Sequence, residues 1–188
     1  MTPLPLQQES PGMVKQFDQR HRQSRRILIM GVSGSGKSTI GEAVAEKTGC
    51  EYIDGDQYHP PANIEKMTKG VPLTDDDRQG WLEALADLFA QHRREDKSVM
   101  IGCSGLKKSY RDILRQGDPE LVILFLDGSY DIILQRMEER QHFFSPQMLR
   151  TQFDTLQTPG PDEAISIDIS MSFDNVIDQC VSKLEALD

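Results

Sequence analysis

Residues 25–188 are predicted to form one three-layer α/β/α domain, a five-stranded parallel sheet covered by helices on both faces. Three observations lead there. Short apolar runs alternate with helical patterns along the chain. The first run leads directly into Gly31–Ser38, GVSGSGKS, a complete G-x-x-x-x-G-K-[ST] phosphate loop. The full length of 188 residues suits one domain with a sizeable core. Alternation of β and α around a single phosphate loop requires parallel strands, since each helix returns the chain to the same sheet edge.

The elements follow in order. Residues 1–24, rich in Gln, Pro and charge, lack periodicity and are expected to be a disordered tail. Strands are expected at 27–30, 50–53, 98–103, 121–126 and 165–169. Helices are expected from Lys37 to Thr48, Asp76 to Gln91, Lys107 to Arg115, Tyr130 to Arg140, Pro146 to Leu156 and Asn175 to Leu187. In the Asp76 helix, Trp81, Leu82, Leu85, Leu88 and Phe89 share one face. The stretch from Gln57 to Arg78 is too polar and too rich in Pro and Gly to be core, and its length suits a binding loop.

Composition excludes several functions. With 21 basic and 30 acidic residues the net charge is −9, which argues against a nucleic-acid or anionic-membrane surface. No apolar run approaches the roughly 20 residues of a membrane span, and the start MTPLPLQQESPG lacks a signal-peptide core, so a cytoplasmic protein is expected. Cys50, Cys103 and Cys180 are far apart and odd in number, which favours buried free thiols over a disulfide frame or a metal site.

The phosphate loop assigns chemistry to its residues. Gly31, Gly34 and Gly36 allow backbone dihedrals that aim successive N–H groups at phosphate oxygens, with Val32, Ser33, Ser35 and Thr39 completing the nucleotide cradle. Lys37 can reach the β- and γ-phosphates, and the Ser38 hydroxyl can ligate Mg²⁺. The second strand delivers Asp54-Gly55-Asp56 to the same edge. Two carboxylates there suit one Mg²⁺ contact, at Asp54, and one general base for an acceptor hydroxyl, at Asp56, although D-G-D is also an ordinary turn. The third strand ends in Cys103-Ser104-Gly105 and supplies no terminal Asp to the metal.

Further candidates lie around this edge. Lys107 and Arg111 share a helix face that would clamp a carboxylate or phosphate, or would be a solvated basic face. His59, in the polar stretch, could bind a ligand, hold structure or face solvent, with metal binding the weakest reading. Arg136 and Arg140, also four apart, precede Gln141-His142-Phe143-Phe144. Together with residues up to about 160 they suggest a helical lid that closes over the nucleotide and neutralises the transferring phosphoryl group; a helix with exposed arginines is the alternative.

Three long stretches, DGDQYHPPANIEKMTKGVPLTDDDRQGWL, CSGLKKSYRDILR and QHFFSPQMLRTQFDTLQTP, with GVSGSGKST before them, closely resemble the bacterial-type gluconokinases. The resemblance spans about residues 26–187. It implies a P-loop kinase fold of the nucleoside-monophosphate-kinase type, a homodimer, and transfer of phosphate from ATP to D-gluconate at its C6 hydroxyl. On that reading Asp56 accepts the hydroxyl proton, and Asp54 orders Mg²⁺. Lys107, Arg111, His59 and Arg78 line the acceptor pocket, and Arg136, Arg140 and His142 close from the lid. The chain departs from the family pattern at Gly105, where Ala or Ser is usual. A kinase for shikimate or a nucleoside monophosphate stays open, as does a nucleotide-driven regulator; a GTPase is disfavoured by the lack of N-K-x-D.

Overall fold

The computed structural model describes residues 23–139 and 146–188. Five parallel strands, β1 (Arg26–Met30), β2 (Glu51–Asp54), β3 (Val99–Gly102), β4 (Val122–Asp127) and β5 (Ile165–Asp168), pair in the order β2-β3-β1-β4-β5. The central strand β1 is buried along its whole length. Its side chains alternate between two cores, as a strand's two-residue period demands. Ile27 and Ile29 enter one core with Ile40, Val44, Ile177 and Leu184, while Leu28 and Met30 enter the other with Trp81, Leu85, Phe89 and Leu114.

Helices α1 (Lys37–Thr48) and α7 (Phe173–Glu185) cover the first face. Helices α3 (Asp75–Arg94) and α4 (Lys108–Gly117) cover the second. The remaining helices, α2 (Pro61–Thr68), α5 (Tyr130–Glu139) and α6 (Pro146–Thr155), flank the carboxyl edge of the sheet or the approach to it. The expected fold class is therefore observed.

Local corrections have local causes. Helix α3 starts at Asp75 because Thr74 caps it: Thr74 Oγ1 accepts from Asp77 N at 3.2 Å and Asp77 Oδ2 accepts from Thr74 N at 2.9 Å. The polar stretch 57–78 is not one long loop; a 3-10 turn (Gly55–Tyr58) leads into α2, with Pro61 at its first position. That helix has no buried apolar stripe to betray it in the sequence. Only Asn63 is buried, while Ile64 and Met67 are exposed. Polar bonds hold it to α3 instead, Asn63 Nδ2 to the Asp77 carbonyl at 2.7 Å and Lys66 to the Asp77 carboxylate at 2.6 Å.

All three cysteines are free, Cys103 and Cys180 buried and Cys50 half-buried. Arg25 and Arg26, the end of a basic cluster before the first strand, are structural: Arg25 pairs with Asp188 at 2.6 Å, and Arg26 Nε with the fully buried Asp118 at 2.5 Å. Residues 1–22, which hold most of the expected tail, lie outside the described residues.

A buried carboxylate that loses its partner, or an arginine that loses its carboxylate, is left as an uncompensated charge. Asp118→Ala is therefore expected to destabilise the protein by about 3–5 kcal/mol, read as a fall in the urea midpoint with an unchanged slope; a midpoint equal to wild type would refute this role.

Candidate active site

The carboxyl ends of β1, β2 and β3 meet at one edge, and backbone contact there permits only glycine. A Cβ on Gly55 would lie 2.4 Å from the Gly102 carbonyl oxygen, closer than real Cβ atoms approach backbone. Trp81, 1% exposed, fastens the same turn by donating from Nε1 to the Gly55 carbonyl at 2.7 Å. Asp54 Oδ1 accepts from Asp56 N at 3.0 Å, which closes the turn internally. Asp54 and Asp56 are thereby delivered to the end of the sheet beside the phosphate loop.

Gly34 and Gly36 adopt φ of 79° and 95°, the left-handed region that lets the loop turn its amides inward before α1 begins. Lys37 folds back and donates to the carbonyls of Gly31 and Val32, each at 3.0 Å. Desolvation lowers its pKa, against the opposing pull of Asp56, then Cys103, then Asp54. The predicted base therefore lies within electrostatic reach of the loop lysine. Ser35 Oγ, inside the loop, is buried and has no hydrogen-bond partner among the described residues. Val32 is core, and Thr39 Oγ1 donates to the Gly36 carbonyl at 3.2 Å.

Ser38 is exposed at the start of α1. Tyr52 lies beside it, within electrostatic reach of Asp54 and Asp56, and burial pushes its phenol up to about 12. Hard oxygen donors of this kind fit Mg²⁺. Among the described residues no group of three His, Cys, Asp or Glu side chains forms a metal cage. The donor set thus suits an ion that arrives with phosphates, held by Ser38 and Asp54.

On the acceptor side, His59 stacks on Trp81 with centroids 4.0 Å apart and lies within reach of Asp56 and Arg78. Burial, first, lowers the His59 pKa; Arg78 adds to this and Asp56 opposes it. Lys107 is the N-cap of α4 and binds both oxygens of Asp75 at 2.7 Å, while Tyr110 donates its hydroxyl to the same carboxylate. Those two bonds, Lys107 first, lower the Asp75 pKa. Arg78 sits 5.9 Å from the Tyr110 ring centroid, so Arg78, Lys107, Tyr110 and Asp75 form one charged wall.

Arg111 does not join that wall. It is 1% exposed, pairs through Nε and Nη2 with Glu163 at 2.6 and 3.0 Å, and donates from Nη1 to the carbonyls of Gly105 and Gln157. The predicted clamp of Lys107 and Arg111 is therefore split: four-residue spacing was read as one helix face, but Lys107 precedes the helix and Arg111 points into the fold. Gly105, where the chain departs from its resemblance, has φ 56°, a conformation glycine takes at least cost.

Arg136 lines a cavity of about 220 Å³ with Gly34, Gly36, Thr39, Met171 and Phe173, and donates to the Ile169 carbonyl at 2.5 Å. Arg140 and His142 lie outside the described residues. Reasoning from sequence missed the turn-fastening role of Trp81, read only as core, and the partners Asp75, Tyr110 and Glu163. The sequence does carry one signal for an acidic partner, the run Asp75-Asp76-Asp77 at the start of α3.

Comparison with known proteins identifies the family and agrees with the fold. The family model for shikimate kinase matches residues 33–159. The chain is 48% identical over 153 residues to the thermoresistant gluconokinase of Escherichia coli (strain K12), covering 80% of this chain and 87% of that protein. It is 47% identical to the thermosensitive gluconokinase of the same organism, covering 82% and 84%. Among solved structures, a gluconokinase from Sinorhizobium meliloti 1021 superposes with a TM-score of 0.81 at 42% identity, covering 88% of this chain and 94% of that one.

His59 is expected to titrate below its ordinary value of 6.5. A folded-state pKa below the unfolded one means that its contribution to stability is complete above about pH 6.5 and declines as pH falls from there toward the folded value. Trp81, the sole tryptophan, reports this directly, because a stacked imidazolium quenches indole emission. A quenching midpoint below 6.5 that disappears in His59→Ala is the expected outcome; a midpoint at or above 6.5 would contradict it.

Proposed function

The chain belongs to the gluconokinase family of P-loop kinases, and from that premise we propose that it phosphorylates D-gluconate with ATP, at the C6 hydroxyl, to give 6-phospho-D-gluconate and ADP. The observation that carries this reading is the meeting of Lys37 and Asp56 at one sheet edge, donor-side cation and acceptor-side carboxylate within mutual electrostatic reach. A binding module without an acceptor has no use for the second group.

The roles follow from placement. The triphosphate lies in the loop Gly31–Thr39, and Lys37 leaves the carbonyls of Gly31 and Val32 for the β- and γ-phosphates. The nucleoside end extends into the cavity bounded by Gly36, Thr39, Arg136, Met171 and Phe173. Ser38 and Asp54 would hold Mg²⁺ together with the phosphates, and the ion would supply charge neutralisation there. Asp56 accepts the C6 hydroxyl proton as that oxygen bonds to the γ-phosphorus, and the bond to the ADP oxygen breaks with its electron pair leaving on ADP.

His59 and Arg78 contact the acceptor's hydroxyls, and Lys107, released from Asp75, meets its carboxylate. Arg136 stabilises charge from the nucleotide side; the lid of about 136–160 that the sequence suggests would include Arg140 and His142, which lie outside the described residues. Arg111 supports the pocket through Glu163 rather than by touching substrate. The proposal includes a homodimer in the cytoplasm; three free thiols accord with a reducing compartment. Among the described residues no helix is long and apolar enough to cross a membrane.

The test is ADP release by the purified protein with Mg-ATP, with and without D-gluconate, beside shikimate and AMP. A large rate dependent on gluconate is expected, abolished in Lys37→Ala and reduced about 10²-fold in kcat in Asp56→Asn with ATP binding retained. Near-normal turnover in Asp56→Asn would remove it from the base role, and ATP binding without response to any acceptor would overturn the kinase reading.

A further inference from the structure

A side chain from a distant segment holds the phosphate loop from outside. Ser33 N–H, in its entry turn, donates to Gln152 Oε1 of α6 at 2.7 Å, a contact across 119 residues of sequence. Helix α6 is seated on the same side by Leu149, its one fully buried residue, by Phe153, which meets the Tyr130 ring edge-on at 5.5 Å and packs with Leu156 against the core of Val32, Leu126 and Ile133, and by Arg150 over that Tyr130 ring at 3.9 Å. Those contacts place the helix over the sheet edge, and the glutamine fixes the loop relative to it.

The same segment reaches the acceptor side. Gln157 N donates to the Leu106 carbonyl at 2.8 Å, and Gln157 Oε1 accepts from Lys108 N at 2.7 Å. Glu163 then anchors Arg111. Residues 152–163 thus hold the donor loop at one end and, at the other, the turn that carries Lys107. The separation of γ-phosphate and acceptor depends on this strap, and phosphoryl transfer is sensitive to such separations, with about 10²-fold losses for misplacements near 1 Å.

We propose that Gln152 is a positioning residue for phosphoryl transfer, acting through the Ser33 amide to set the phosphate loop against the segment that also positions the acceptor wall. The inference rests on the kinase reading above. An uncharged acceptor is what the position requires: a carboxylate would take the same bond from Ser33 N–H but repel the phosphates bound by the neighbouring amides.

Two variants separate this from a packing role. Gln152→Leu keeps the bulk and loses the bond; kcat at saturating ATP and D-gluconate is expected to fall about tenfold, with a Tm within about 4 °C of wild type. Gln152→Glu keeps the bond; kcat is expected to stay within about threefold of wild type while KM for ATP rises severalfold. The Ser33 amide, followed by NMR, is expected to exchange faster in Gln152→Leu and not in Gln152→Glu. Wild-type kcat in Gln152→Leu, or equal losses of kcat and Tm in both variants, would overturn the proposal. Mg-ATP affinity, titrated by Trp81 emission without acceptor, separates the two readings, because a loop that has lost the Ser33 bond is also expected to hold Mg-ATP severalfold more weakly in Gln152→Leu: should the wild type turn over no gluconate, the kinase reading fails alone if that weakening is seen, and both fail if affinity is unchanged.

Discussion

A contact between two backbones underlies the site. Gly55 rests on the carbonyl of Gly102 so closely that a methyl group at Gly55 would sit 2.4 Å from that oxygen, and Trp81 locks the turn from the other side through the Gly55 carbonyl. Sheet pairing places Asp54 opposite Gly102; the glycine contact and the indole bond then fix the turn from which the exposed Asp56 emerges at the sheet edge. The phosphate loop rises from the neighbouring β1, so the donor and acceptor groups share a rigid floor. Rigidity there has a physical use, because a general base and a phosphate cradle act together only when their separation is fixed.

Three described cations of the site have partners within the chain. Lys37 is bound to carbonyls of its own loop, Lys107 to Asp75, and Arg136 to the Ile169 carbonyl. In a chain of net charge −9 this local pairing keeps basic groups ordered while the overall surface disfavours polyanions. A bound phosphate or carboxylate exchanges one set of acceptors for another. That exchange favours small anions able to enter the cleft and match several donors together.

Legibility in the sequence differed by the range of the interactions concerned. The phosphate loop, the strand before it and the amphipathic face of α3 are local patterns, and each was found where expected. Helix α2 was missed because polar bonds from Asn63 and Lys66, rather than a buried apolar face, hold it to α3. Arg111 was assigned to the substrate because spacing reports a shared helix face and says nothing of Glu163, fifty-two residues on, which takes its charge. His59 was left among three readings, and the structure shows it buried and stacked on Trp81, the residue that fastens the Gly55 turn.

The sequence by itself determined the fold class, the nucleotide cradle and, through long distinctive stretches, the family, since these are written in contiguous residues whose chemistry is set by spacing along the chain. Only the tertiary structure decided which charged side chains face the cleft and which support it. Lys107 and Arg111 carry the same charge within one turn of chain, yet one is paired at the surface and the other is buried against Glu163. That choice follows from partners brought together by packing across distant segments, whose desolvation and hydrogen bonding fix each group's role.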